Sequence, residues 1–252
     1  MNNFDSNDYV YNKDSSIGIM LIHGFSSSTY ETKFLAKYLS QFGFHVATYN
    51  LPGHGTNVDD CNSTSYSEWI YFARQKLAEL SSTSDKVFIV GHSMGGVITL
   101  HLASIFPVDG IVLGATVLRF KKKFQTYFLV PLLNKIKQKV DKRKMFTKEH
   151  LEKNPNFGYM EYPLVALNEF RKMNRKTIKD LHKVQCPTLI IHSKNDVTSI
   201  EKNVELIYKN ISSTEKSKLI IEKSSHHIFV DESDKEVIYK AVLSFIKKHC
   251  DE

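Results

Sequence analysis

A serine flanked by glycines stands where a β-rich run meets a stretch of helical character. Lys86-Val87-Phe88-Ile89-Val90 leads into Gly91-His92-Ser93-Met94-Gly95-Gly96. G-x-S-x-G in that setting is the pattern of a nucleophile elbow. A sharp turn lifts the serine oxygen above the sheet, and the flanking glycines let strand and helix backbones approach. The first N–H groups of the helix then favour developing negative charge. Such a serine points to acyl transfer through a covalent intermediate. The competing reading is a Gly-rich turn with an incidental serine.

An elbow sets an order for its partners: an oxyanion donor upstream, an acid downstream and a histidine last. His23-Gly24-Phe25 follows the apolar run Ile17–Ile22, so the Phe25 N–H is an expected oxyanion donor, with the Met94 N–H as the second. The His23 side chain is read as structural, bonded to nearby backbone, because an oxyanion contact needs only backbone N–H. Asp196 lies in the loop after Thr188–His192 and is the expected acid; a turn or helix-capping aspartate is the plainer alternative. Ser224-Ser225-His226-His227-Ile228 occupies the place of the base, where only one of the two histidines can face the serine.

These residues need a scaffold, and the patterning supplies one. Apolar strand runs at Ile17–Ile22, Phe44–Tyr49, Val87–Val90, Ile111–Leu113, Pro187–His192 and Lys218–Ile221 alternate with helical spacing at 31–41, Tyr66–Leu80, Met94–Phe106, Ile200–Lys209 and Lys235–Lys248. Continuous apolar strands separated by helices imply a mostly parallel, doubly wound α/β sheet covered on both faces. From about Val117 to Val184 the alternation breaks into Lys-rich helical pieces with Pro131, Pro155 and Pro163, the arrangement expected of a lid. The expectation is a single domain over 1–252 with a lid insertion at about 117–183.

Composition excludes several classes. Hydrophobic residues make up 42% and charged residues 24% of the 252, too apolar for disorder and far too poor in Gly and Pro for collagen. No apolar run is long enough to span a bilayer. Residues 1–16 lack the basic start and apolar core of a secretory signal, so a cytoplasmic location is expected. Cys61, Cys186 and Cys250 are odd in number and widely spaced, and read as thiols rather than a disulfide framework. No H-E-x-x-H or paired C-x-x-C spacing supports a metal, and Gly53-x-Gly55 lacks the context of a dinucleotide fingerprint. No cofactor and no nucleic-acid partner are expected.

Together, HGF, LPGHG, GHSMGG, the Asp after LIIHSKN, and SSHHIF resemble the carboxylesterase and monoacylglycerol-lipase branch of the α/β-hydrolases. Within it the chain looks most like the small bacterial carboxylesterases with a short helical lid. The resemblance runs from about Ile17 to the C-terminus. It implies Ser93 as nucleophile, Asp196 as acid and Phe25 and Met94 as oxyanion donors. The family's G-H-x-I spacing favours His226 over His227, although position 225 is serine here. Leu51-Pro52-Gly53-His54-Gly55 resembles a family turn and is read as structural.

Charge is unevenly distributed. Residues 117–183 hold 18 Lys+Arg against 6 Asp+Glu, a net of +12, whereas the remainder carries −5. A solvated helical face is the plain reading; attraction of the lid to anionic lipid or substrate is the sharper one. The expected activity is cleavage of a carboxylic ester or monoacyl lipid. The alternatives are a thioesterase or peptidase using the same triad, or a non-catalytic binding protein on the hydrolase fold.

Overall fold

The structure, a computed structural model, describes residues 4–122, 124–141 and 158–250. Residues 123 and 142–157 of the expected lid lie outside that set.

The central sheet has seven strands in the order β1-β3-β2-β4-β5-β8-β9. They are β1 (Tyr9–Tyr11), β2 (Ile17–Ile22), β3 (His45–Thr48), β4 (Lys86–His92), β5 (Gly110–Gly114), β8 (Thr188–Ser193) and β9 (Lys216–Ile221). Every pairing is parallel except that of β1 with β3. A separate antiparallel ribbon pairs β6 (Lys139–Asp141) with β7 (Glu161–Pro163). The α-helices among the described residues are α1 (Lys33–Ser40), α2 (Val58–Ser63), α3 (Tyr66–Ser81), α4 (Met94–Ala103), α5 (Val130–Leu133), α6 (Leu164–Asp180), α7 (Lys202–Asn210) and α8 (Lys235–Cys250).

Successive strand residues point to opposite faces, and the sheet divides two apolar layers accordingly. Met20 and Ile22 of β2, with Ile89 of β4 and Leu113 of β5, pack against Trp69, Val97, Ile98 and Phe170. Ile19 and Leu21, with Phe88, Val90 and Val112, pack against Leu35, Leu39, Ile238, Val242 and Ile246 of α1 and α8. Burial on both sides is why these strands read as unbroken apolar runs.

Local chemistry sets the helix ends. Ser65 and Glu68 form a reciprocal capping box at the start of α3, a device that stabilises a helix by about 1 kcal/mol. α4 ends at Ala103, short of the expected Phe106, although the Ser104 and Phe106 N–H groups still bond back to the Leu100 and Leu102 carbonyls; Pro107, which has no N–H to donate, follows. The helix expected from Glu31 begins at Lys33, after a 3₁₀ turn over Thr29–Glu31. Glu31 turns inward instead, for reasons given below.

In strand order, β2 is followed in sequence by β3 on one side, while β4 lies on the other. In open α/β sheets such a reversal marks where a crevice forms beyond the carboxyl ends of the strands and ligands bind; here it lies between β2 and β4.

Candidate active site

Ser93 caps β4 at that crevice. Its backbone is left-handed (φ 52°, ψ −109°), a conformation costing a non-glycine residue on the order of 1–3 kcal/mol. The strain persists because the surroundings hold it: the Ser93 N–H donates to the Gly114 carbonyl at 2.8 Å. Glycine is required nearby. A Cβ on Gly91 would strike the Gly95 carbonyl, and one on Gly95 would strike the Ile22 carbonyl. Strand, turn and helix meet there backbone to backbone.

The residues singled out in the sequence converge on this serine. His226 Nε2 lies 3.0 Å from Ser93 Oγ, and His226 Nδ1 lies 2.7 Å from Asp196 Oδ2. The nucleophile candidate, base candidate and acid candidate thus form one hydrogen-bonded chain, arising from the ends of β4, β9 and β8. Burial works against ionisation of Asp196. The attraction of His226 and the hydrogen bonds from His226, Ser199 N–H and Thr198 N–H outweigh it and hold its carboxyl below the usual range.

Phe25 follows Gly24 at the end of β2, and a Cβ built on Gly24 would come within 3.3 Å of Ser93 Cβ. The oxyanion-loop candidate therefore adjoins the serine. Met94 is the first residue of α4, so its N–H has no carbonyl one helical turn earlier to bond. The Phe25 ring packs on Tyr162 and Phe170, at 5.9 and 5.5 Å between centroids. Phe170 meets Phe120, which in turn meets Tyr127. These rings bring residues from 117–183 onto the candidate oxyanion loop.

His227 points elsewhere: its Nδ1 is 3.0 Å from Glu31 Oε1. His23 Nδ1 donates to the Gly24 carbonyl at 2.8 Å, and its Nε2 accepts the Leu51 N–H at 3.1 Å. His54 donates from Nδ1 to the Pro52 carbonyl at 3.1 Å and packs on Trp69. Both serve the backbone. Ser225, where the resembling family has glycine, is not among the described residues of positive φ, so its backbone places no demand for glycine. Its N–H donates to Asp231 Oδ2 at 2.7 Å.

Three residues that the sequence did not single out shape the site. Asp231 and Asp234 accept the N–H groups of Ser225, Ser224 and Lys223 and so set the path of the loop carrying His226. Glu31 is the third. An aspartate or glutamate at those positions reads as an ordinary surface or helix-entry charge, and nothing local marks it otherwise. Burial pushes the Cys186 thiol up to about 12, far from the range of a reactive thiolate.

A left-handed serine between strand and helix, beyond a mostly parallel seven-stranded sheet with a strand-order reversal at its mouth, defines an α/β-hydrolase. The model of the family described as serine aminopeptidase, S33, matches residues 15–233, and the chain belongs to that family. It is 27% identical over 250 residues to a thermostable monoacylglycerol lipase of Bacillus sp. (strain H-257), covering 95% of this chain and 94% of that one. It is 21% identical over 237 residues to a carboxylesterase of Bacillus subtilis (strain 168), covering 94% of each. Among solved structures, one from a study of the metagenome-derived lipolytic enzymes LipS and LipT superposes with a TM-score of 0.84 at 30% identity. That match covers 97% of this chain and 98% of the other. These matches place the chain among hydrolases of the esterase and lipase family.

Proposed function

We propose that this chain is a carboxylic ester hydrolase, acting on simple esters or monoacylglycerols through an acyl-enzyme on Ser93. The observation that carries the reading is the Ser93–His226–Asp196 hydrogen-bond chain. Ser93 Oγ attacks the ester carbonyl as its proton passes to His226 Nε2. Asp196 holds Nδ1–H and stabilises the imidazolium. The N–H groups of Phe25 and Met94 receive the oxyanion. The proton on Nε2 then goes to the departing alkoxide. A water that gives its proton to His226 attacks the acyl carbon, and the acid leaves with Ser93 restored. The scheme calls on no cofactor. The esterase and lipase relatives support the choice of ester over a thioester or peptide bond.

On this reading 1–252 is one α/β-hydrolase domain and 117–183 is its lid. Phe120 and Tyr127 face inward toward Phe170 and would border the acyl chain. Phe124, Phe128, Leu132 and Ile136 lie on the outside, 62–88% exposed, between exposed Lys121, Lys122, Lys135 and Lys137. That surface supports weak contact with anionic lipid. In α6 the cations Lys172, Arg175, Lys176 and Lys179 face water opposite the buried Leu167, Phe170, Met173 and Thr177, an ordinary solvated face. Among the described residues no helix is long and apolar enough to cross a membrane.

The test is a fluorophosphonate probe with a panel of esters graded by acyl length, including monoacylglycerols. Label should map to Ser93, Ser93→Ala should take none, and turnover should fall by about 10⁴-fold or more. Label on another residue overturns the assignment, and a labelled protein inert to every ester but active on thioesters or peptides overturns the substrate class. A protein that takes no label and turns over nothing is the binding protein of the alternative reading.

A further inference from the structure

A buried carboxylate lies behind Ser93, outside the triad. The Glu31 side chain is 3% exposed, and both of its oxygens are engaged. Oε2 accepts the Gly24 N–H at 2.7 Å and lies 3.1 Å from His92 Nδ1. Oε1 lies 3.0 Å from His227 Nδ1. His92 continues the connection, with its Nε2 2.9 Å from the His226 carbonyl oxygen. One side chain therefore reaches the residue before Phe25, the residue before Ser93 and the residue after His226.

The hydrogen bonds fix a proton count. A carbonyl oxygen only accepts, so His92 Nε2 must carry hydrogen. His92 Nδ1 faces a carboxylate, which when ionised also only accepts. A neutral imidazole has one N–H and leaves one of these contacts as nitrogen against oxygen. The Glu31–His92 pair therefore holds one proton more than a neutral imidazole beside an ionised carboxylate would. On the other oxygen, His227 Nδ1–H serves Oε1.

Electrostatics agree with the geometry. Burial disfavours charge on His92, but the attraction of Glu31 and the hydrogen bonds to Glu31 and the His226 carbonyl prevail and raise its pKa. Burial likewise opposes ionisation of Glu31, and His92 and His227 overcome it and hold it well below the usual carboxylate range. For His227 burial dominates and keeps the ring neutral. The other groups facing His92 are the His226 and His227 rings at 5.1 and 5.9 Å, the Phe229 ring at 5.7 Å, the charge of Asp196 and the His23 ring, whose own pKa burial lowers. Among the described residues no three His, Cys, Asp or Glu side chains are arranged to hold a metal.

We propose that Glu31 and His92 form a buried carboxylate–imidazolium positioning pair that locks the oxyanion loop, the nucleophile turn and the base loop in mutual register. It rests on the triad reading for its catalytic consequence. The proposed reaction needs three loops from the ends of β2, β4 and β9 in one geometry, and the hydrogen bonds of Glu31 and His92 reach all three. A buried pair that must make all its hydrogen bonds to offset its desolvation tolerates one arrangement.

The direct test is ¹⁵N NMR of the imidazole nitrogens in the wild-type protein. Both His92 nitrogens should be protonated and should stay so across about pH 5.5–7.5, where an ordinary imidazole loses its proton. A singly protonated His92 at neutral pH overturns the pair. This readout needs no turnover, so its failure is distinct from failure of the triad reading. Glu31→Gln is the second arm. It keeps the side chain's size and removes the charge that holds the second proton. Turnover of a small soluble ester should fall by about 10- to 100-fold, with KM within about twofold, Ser93 labelling slowed in proportion and His92 singly protonated. An unchanged kcat, or a loss confined to KM, overturns the positioning role. Should the variant fail to fold, the wild-type spectrum decides.

Discussion

Asp196 divides its carboxylate between His226 and its own turn. Oδ2 lies 2.7 Å from His226 Nδ1, while Oδ1 accepts the N–H groups of Thr198 and Ser199 at 2.7 and 2.8 Å. The turn reading of this residue accounts for Oδ1, and the catalytic role proposed above would use Oδ2; the helix that follows starts only at Lys202, so Asp196 is not its cap. The turn orients the carboxylate before any substrate arrives, so on the proposed mechanism aligning the imidazole costs little reorganisation.

That division separates chemistry from stability. In Asp196→Asn an amide oxygen can still serve the turn, but the position facing His226 loses its charge and its preference for Nδ1–H. We expect kcat to fall by about 10⁴-fold while the thermal midpoint moves by no more than about 4 °C. A variant within tenfold of wild-type turnover would remove Asp196 from the mechanism.

The adjacent histidines should behave differently under alanine substitution. His226→Ala is expected to abolish ester turnover with little change in fold. His227→Ala deprives the buried Glu31 of one donor, a loss of about 1–3 kcal/mol of stability, and should keep at least about a tenth of kcat. Urea denaturation alongside steady-state kinetics separates the two outcomes. Loss of turnover in His227→Ala alone would exchange their roles.

Mild acid should weaken the fold before any carboxylate titrates. Burial, with a smaller contribution from His23, pushes His54 down to about 3, against about 6.5 in an unfolded chain. Between those values the unfolded state binds the proton and the folded state does not. The stabilisation is therefore complete above pH 6.5 and declines as pH falls, by up to about 1.4 kcal/mol per unit for this one group. The lowered pKa values of His23, His101, His192 and His227 act in the same direction, and the raised one of His92 acts against them. Urea midpoints at pH 7, 6 and 5 should decrease steadily, and His54→Gln should flatten the slope. Equal midpoints at all three would sink this account.

The exposed surface of the proposed lid makes a prediction about lipid. Each Lys near an anionic surface contributes roughly 1 kcal/mol of attraction, weakened by salt. Binding should be stronger to anionic than to zwitterionic vesicles and should fall as salt rises. Reversing Lys121 and Lys122 to Glu should weaken it while leaving turnover of a small soluble ester intact. Equal binding to both vesicle types at low salt would reduce the charge to a solubility feature.

The elbow and the strand–helix alternation were legible in the chain because both are local. A nucleophile turn needs its glycines within two residues of the serine, and a strand buried on both faces must be apolar throughout. Ser93, the β4–α4 junction and the parallel sheet follow from such short-range demands. The edge strand Tyr9–Tyr11 was not legible, since three residues with no buried member carry no pattern and owe their place to pairing with β3. The choice between His226 and His227 rested on a spacing in the sequence, and only the tertiary structure turns one ring toward Ser93 and the other toward Glu31. Glu31 is the clearest case of what local pattern cannot encode. It reads as the first residue of an amphipathic helix, yet it lies 61 residues from His92 and 196 from His227 along the chain. Whether such a carboxylate faces water or closes a buried network depends on what three distant loops place around it, a property of the assembled sheet rather than of any segment.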